Sequence, residues 1–121
     1  MSLEEPKSAA ESETTEDFFH QGWIQHLSEK DDAAAEESFR RAISLDINNV
    51  EAYYGLGLVL KAQGKGQGAI ETFQKVIDKI EAGGIKDNVR GEMLRRLTVG
   101  HINQLKSGDW GLEEEIWQRK E

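Results

Sequence analysis

Cysteine is absent, so neither a disulfide framework nor a thiolate metal site can form, which fits a reducing compartment. Proline occurs once, at Pro6. No apolar run approaches the roughly 20 residues that span a bilayer, and no hydrophobic stretch follows the start as a signal peptide requires. A basic excess is lacking too. Fifteen Lys and Arg stand against 23 Asp and Glu, for a net charge of -8 and a pI near 4.9. Binding to a phosphate backbone needs a basic face, so the expected partners include neither nucleic acid nor a membrane. Aromatic residues make up only 7% of the 121 positions. That is enough for one small domain with a modest core of packed helices, not for a large closed cavity or a roomy active site. The expected location is cytoplasmic.

What is present is unevenly spread. Residues 1–17 hold Glu4, Glu5, Glu11, Glu13, Glu16 and Asp17 against the single base Lys7, so most of the net charge sits there. With almost nothing to bury, residues 1–16 are expected to form a disordered acidic tail, either solubilising or available to a partner. From Phe18 onward the apolar residues recur with helical period in blocks separated by Gly, Asp or Asn turns. Six helices are expected, near 17–29, 32–45, 49–63, 67–82, 88–106 and 110–120. The breaks fall at Lys30-Asp31, Asn48-Asn49, Gly64-Lys65-Gly66, Gly83-Gly84 and Gly108-Asp109, where side-chain caps or a left-handed glycine would start or stop a helix. No block alternates with period 2. The fold class is all-α.

The chain also repeats itself. Phe39 and Phe73 are 34 residues apart, as are Ala35 and Ala69. At an offset of 78, residues 22–43 align without a gap to 100–121 and pair Gly22 with Gly100, Ile24 with Ile102, Leu27 with Leu105 and Asp31 with Asp109. A repeated helix-turn-helix of this length resembles the tetratricopeptide repeat. The middle unit fills the signature positions with Tyr53, Leu56, Gly57, Leu60, Gly64, Ala69, Phe73 and Val76. The first unit is similar through Phe19, Ala35, Phe39, Ala42 and the closing Leu45-Asp46-Ile47-Asn48-Asn49, and its Gly22 sits one place before the family's usual small residue. The third rests on Leu97, Gly100, Gly108, Asp109, Trp110 and Trp117, with Glu113 where a small residue belongs. Phe73 to Trp117 is ten residues longer than one period, which places the excess in a longer fourth helix and the loop Glu81–Lys86.

The resemblance implies a domain over 17–121, an α-solenoid of three helix-turn-helix repeats (about 16–49, 50–83 and 88–121) wound as a right-handed superhelix with a concave face. Gly57 costs roughly 1 kcal/mol in a helix interior relative to Ala, so it should serve the close approach of a partner helix at Ala69. Phe39, Phe73 and Trp117 are placed to plug the gap between units.

Chemistry of other kinds finds no support in the residues. His20, His26 and His101 have no metal-ligand spacing among them, and no Ser or Thr stands beside a persuasive base. Gly64-Lys65-Gly66-Gln67-Gly68 lacks the earlier Gly and the Ser or Thr of a phosphate loop and is expected to be a turn. Asp46-Ile47-Asn48-Asn49 lacks the central Gly and terminal Glu of a calcium loop. Glu113-Glu114-Glu115 suits the start of a helix. No catalytic residue, metal or cofactor is expected, and the chain is not expected to be an enzyme.

Proteins of the resembled family hold ligands in the concave groove with the first helix of each unit. Carried onto this sequence, the groove comprises Asp17, His20, Ile24, Leu27 and Ser28; Glu51, Tyr54, Leu58, Lys61 and Ala62; and Arg95, Thr98, Ile102, Leu105 and Lys106. Ile24 and Leu27 could equally pack between first helices. The set is an apolar stripe with polar ends, as for an extended segment or partner helix. Lys86, Arg90, Arg95, Arg96 and Lys106 outweigh Asp87 and Glu92, which suits an acidic partner, the chain's own acidic tail or a solvated helix face. The family's clamp for chaperone C-terminal carboxylates carries Lys and Asn where His20 and Ile24 stand, Asn at Gly55, and bases at Arg95 and Val99; only Arg95 fits. The resemblance thus implies a scaffold or adaptor that binds another protein or peptide in its groove. The alternative is a homodimer formed through the exposed end of the stack near Trp110 and Trp117.

Overall fold

The computed structural model describes residues 14–108. Five α-helices follow one another: α1 Thr15–Leu27, α2 Asp32–Leu45, α3 Val50–Ala62, α4 Gly66–Glu81 and α5 Asn88–Ser107. No strand occurs among the described residues. The tail up to residue 13 and the helix expected over 110–120, with Trp110, Glu113 and Trp117, lie outside them.

Each boundary has a local cause. Thr14 and Asp17 form a capping box at the start of α1: the Thr14 hydroxyl accepts from Asp17 N–H at 3.2 Å, and the Asp17 carboxylate accepts from Thr14 N–H at 3.0 Å. This box draws Thr15 and Glu16 into the helix, ahead of the start expected at residue 17. Asp31, Asn49 and Asp87 cap α2, α3 and α5 by accepting from Ala34, Ala52 and Val89. Gly64, Gly83 and Gly108 follow α3, α4 and α5 with φ of 80°, 90° and 77°, the left-handed conformation that closes a helix. Gly64-Lys65 is accordingly a helix-connecting turn, with Gly66 already the first residue of α4.

The helices pack chiefly against their chain neighbours, α1 on α2, α2 on α3, α3 on α4 and α4 on α5. This is the stacking of a helical-repeat solenoid. Its core joins Ala35 and Phe39 of α2, Leu56, Val59 and Leu60 of α3, Ala69 and Phe73 of α4 and Ile102 of α5. A second cluster, Val50, Tyr53 and Val76, lies beside Ile80, Ile85 and Leu94. Phe39 and Phe73 are fully buried, each contributing about 2–3 kcal/mol of burial.

These two rings also explain the glycines. A Cβ on Gly57 would come within 2.6 Å of Phe73 Cδ1 and closer still to Cε1, and one on Gly22 within 2.9 Å of Phe39. The space kept by Gly57 is therefore taken by the Phe73 ring rather than by the approach of a helix at Ala69. A Cβ on Gly55, in the following unit, would meet Phe39 at 2.6 Å. Phe39 thus plugs the joint between units one and two.

Gly22 stands to Phe39 as Gly57 stands to Phe73, so the two glycines are structural equivalents although they are 35 residues apart. Ala35 and Ala69 remain 34 apart. The extra residue sits in the α1–α2 turn. Asp31 N–H donates to Gln25 C=O at 2.8 Å across six residues, where Lys65 N–H donates to Leu60 C=O at 2.9 Å across five. Lys30 takes the left-handed conformation in this turn with φ of 57°, as Gly64 does one period later. The later insertion is spread over three places: α4 runs to Glu81, the linker spans 82–87, and α5 has 20 residues against 13 for α3.

Candidate functional site

The first helices of the units, α1, α3 and α5, meet along one face, and the turn insertion sets which side chains reach it. With Gly22, Gly57 and Gly100 equivalent, the corresponding positions are Phe19, Tyr54 and Leu97; Trp23, Leu58 and His101; and His26, Lys61 and Gln104.

Direct contacts hold the α3–α5 part of this face. Tyr54 Oη and His101 Nε2 are 3.2 Å apart, and Lys61 Nζ is 2.9 Å from His101 Nδ1 and also donates to Gln104 Oε1. An ammonium can only donate, so Nδ1 accepts, the ring proton lies on Nε2, and Nε2–H donates to Tyr54 Oη. The imidazole stacks on Phe73 with centroids 5.1 Å apart and planes 10° apart, and Tyr54 leans on the same ring at 5.9 Å. Burial, with the Lys61 charge adding to it, lowers the His101 pKa to about 4, so the ring is neutral at pH 7. Burial also lowers the Lys61 pKa and raises that of Tyr54.

On α1 the face is aromatic. Phe19 meets Trp23 edge to face at 6.1 Å, and both pack on Phe39, at 6.1 Å and 5.3 Å. His26 Nδ1 lies 2.5 Å from Asp32 Oδ1, tying the end of α1 to the start of α2. At the other edge, Glu51 of α3 pairs with Arg90 of α5.

The expected groove residues divide accordingly. Glu51, Tyr54, Leu58 and Lys61 of α3 and Leu27 at the end of α1 lie on the shared face or its edges. His20 and Ile24 do not. Their equivalents in α3 are Gly55 and Val59, both buried at the joint with the preceding unit, so on α1 they occupy the outer end face, where Ile24 is 53% exposed. In α5 the expected positions are one residue too late. Thr98 is fully buried, its hydroxyl donating to Leu94 C=O at 2.7 Å, and Ile102 joins the core. Both turn onto α4 and are closed to a partner. Arg95 turns to Glu92, one turn back on its own helix, at 3.1 Å, and Lys106 is exposed in the last turn. Phe19, Trp23, His26, Leu97, His101 and Gln104 are the residues that the sequence reading missed. Moving the extra residue into the Lys30 turn would have found those of α1. The chaperone-clamp positions, shifted likewise, hold Phe19, Trp23, Leu94 and Thr98, so even Arg95 no longer matches.

No group of three or more His, Cys, Asp or Glu that could hold a metal ion occurs among the described residues, and no described helix is long and apolar enough to cross a membrane. Stacked helix pairs with one face shared by their first helices define a class of repeat scaffold. The comparisons give the family. A TPR repeat model matches residues 27–64 and a tetratricopeptide repeat model matches residues 51–79. Over residues 27–79 the chain belongs to the tetratricopeptide-repeat family, whose members generally mediate protein–protein interaction and scaffolding. The family is typically a non-catalytic interaction module. No curated protein and no solved structure matches the chain.

Proposed function

We propose that the face shared by α1, α3 and α5 binds a segment of another protein, as a scaffold or adaptor does, with no catalysis by this chain. The observation that carries this reading is the Tyr54–His101–Lys61–Gln104 network, which spans two units and holds polar groups at the surface of an otherwise apolar face. Fixed donors and acceptors beside apolar side chains suit a peptide or helix whose apolar side chains give affinity while its polar groups set the register. Leu58 and Leu27 supply apolar surface, and Glu51 with Arg90 forms the polar rim.

The test is capture from native lysate with the wild-type chain, Leu58→Asp, Tyr54→Ala and the end-face control Ile24→Asp, each first shown to keep its helical circular dichroism. A protein held by the wild type and Ile24→Asp but lost with Leu58→Asp and Tyr54→Ala supports the reading. Equal retention by Leu58→Asp refutes it. If Ile24→Asp alone loses the protein, the outer end face is the binding surface instead.

A further inference from the structure

The shared face offers hydrogen-bond donors more freely than acceptors. Trp23 Nε1–H has no partner among the described residues, and Tyr54 Oη, which accepts from His101 Nε2–H, keeps its own hydroxyl proton unpaired there. The Gln104 amide N–H groups are unpaired among them too, while its Oε1 accepts from Lys61. The acceptors are already engaged: His101 Nδ1 and Gln104 Oε1 by Lys61, and the Glu51 carboxylate at the rim by Arg90. Asp32 accepts from His26 Nδ1, which leaves the Nε2 of a neutral His26 as a lone ring acceptor at the far end of the face. Around these donors the surface is made of rings. Phe19, Trp23 and Tyr54 are half-buried, as is Leu58 beside them.

The donor excess selects among backbones. An α-helix spends its carbonyls on its own N–H groups; laid on this face, it would cover Trp23 Nε1–H and the Tyr54 hydroxyl without pairing them, which is costly once water is excluded. An ordinary extended segment has carbonyls to give but brings an N–H with every residue, and the face has almost no acceptor for them. Proline brings the carbonyl without the N–H. A proline run also adopts the polyproline II helix, which has no internal hydrogen bonds and completes a turn of three residues in about 9 Å. Packed helices lie about 8–10 Å apart, so such a segment crossing α1, α3 and α5 meets the next helix once per turn.

We propose that the occupant of the shared face is a proline-rich, polyproline II segment of another protein. Its pyrrolidine rings lie on Phe19, Trp23 and Tyr54, and its carbonyl oxygens accept from Trp23 Nε1–H and the Tyr54 hydroxyl. This rests on the reading of that face as a binding surface and narrows what it binds. A carboxylate would satisfy the same donors but would shed its water against three aromatic rings. The chain itself carries one proline, Pro6, so its own segments 1–13 and 109–121 supply no such stretch.

The probe is a fluorescein-labelled nine-residue peptide of three Pro-Pro-Leu repeats, followed by anisotropy as the full chain is titrated. Its counterpart is a leucine-striped amphipathic α-helix with the same label. The proline peptide should bind at least about tenfold more tightly than the helix. Tyr54→Phe and Trp23→Phe each delete one donor and keep a ring, and each should weaken the proline peptide by about tenfold. Leu58→Asp should abolish its binding. Tyr54→Phe decides alone if Trp23→Phe melts well below the wild type. Preference for the helix, lost with Leu58→Asp, overturns this inference while the shared face stands as the binding surface. No binding of either peptide also overturns it, and capture from lysate then judges the face separately. Unchanged affinity with Tyr54→Phe overturns it because the donors then select nothing, and retention with Leu58→Asp does so by placing the probe elsewhere. Displacement of the probe by a peptide of residues 1–13 or 109–121 makes the chain's own segment the occupant and overturns the assignment to another protein.

Discussion

Replacing Gly57 with alanine sets two effects of known size against each other. Alanine in a helix interior gains about 1 kcal/mol over glycine. The new Cβ, however, would stand within 2.8 Å of three atoms of the Phe73 ring. Phe73 is fully buried and also carries the stacked His101 ring, so it cannot yield without disturbing α5. Such overpacking costs about 1–3 kcal/mol, and three blocked ring atoms place this case at the upper end. The net expectation is a loss of about 2 kcal/mol, or about 10 °C in Tm for a chain of this size. Gly68→Ala is the matched control. Its Cβ would meet only Leu60 Cδ1, at 3.8 Å, so it should gain about 0.5–1 kcal/mol. Urea and thermal unfolding followed by circular dichroism measure both. If Gly57→Ala melts at or above wild type, the Phe73 ring is not what fixes this glycine, and the equivalence of Gly22 and Gly57 loses its basis.

Lys30 holds φ of 57° without being glycine; Lys30→Gly should stabilise by about 1 kcal/mol, and a lower urea midpoint would contradict the turn assignment. Thr14→Ala removes one half of the capping box and should cost about 1 kcal/mol, read as a lower urea midpoint with unchanged slope. The His101 imidazole titrates near 4 in the fold and near 6.5 when unfolded, so the unfolded chain takes up its proton first as pH falls. Its stability contribution is complete above pH 6.5 and is lost between 6.5 and 4, about 1–1.5 kcal/mol after allowing for the ring's partial exposure to solvent. His101→Gln should flatten the fall in urea midpoint between pH 7 and 5; equal slopes with and without the imidazole would contradict this. Glu36 adds little to the fall between pH 7 and 5, because its unfolded and folded values, 4.5 and about 2, both lie below that range. Burial alone would raise its pKa, but hydrogen bonds from Gln63, Arg40 and Lys65 outweigh burial and hold it at about 2.

The helices and the repeat were legible because they are written in local signals: caps at Asp31 and Asn49, glycines at 64, 83 and 108, and the spacing of Phe39 and Phe73. The middle unit's face was legible for the same reason, since Glu51 to Lys61 is reached from Gly57 without crossing a turn. Units one and three failed by one residue each. In unit one, Gly22 showed the offset, but an inserted residue can be absorbed anywhere between two anchors. Only the long hydrogen bond from Asp31 to Gln25, against the shorter span from Lys65 to Leu60, places it in the turn. In unit three the anchor was weaker, and a one-residue error on a helix rotates a side chain by about 100°. That rotation separates His101, on the shared face, from buried Ile102, and Leu97 from buried Thr98.

The corrected register gives the shared face a gradient that the first reading lacked. Phe19, Tyr54 and Leu97 form a tier nearest the starts of the three first helices, Trp23, Leu58 and His101 the middle tier, and His26, Lys61 and Gln104 the tier nearest their ends. Polarity rises along the helices, and the hydrogen bonds from Lys61 tie the last two tiers of α3 and α5 together. A bound segment crossing these helices would therefore set its apolar side chains toward Tyr54 and its polar groups toward Lys61 and Gln104. The outer end face offers no such gradient. His20 stands there where Gly55 admits the Phe39 ring, so another aromatic plug would meet an imidazole instead of an open backbone. Stacking of the kind that joins units one and two is thus blocked at that end. With the other end of the stack, near Trp110 and Trp117, outside the described residues, the imidazole of His20 argues against stacking of a further unit on α1.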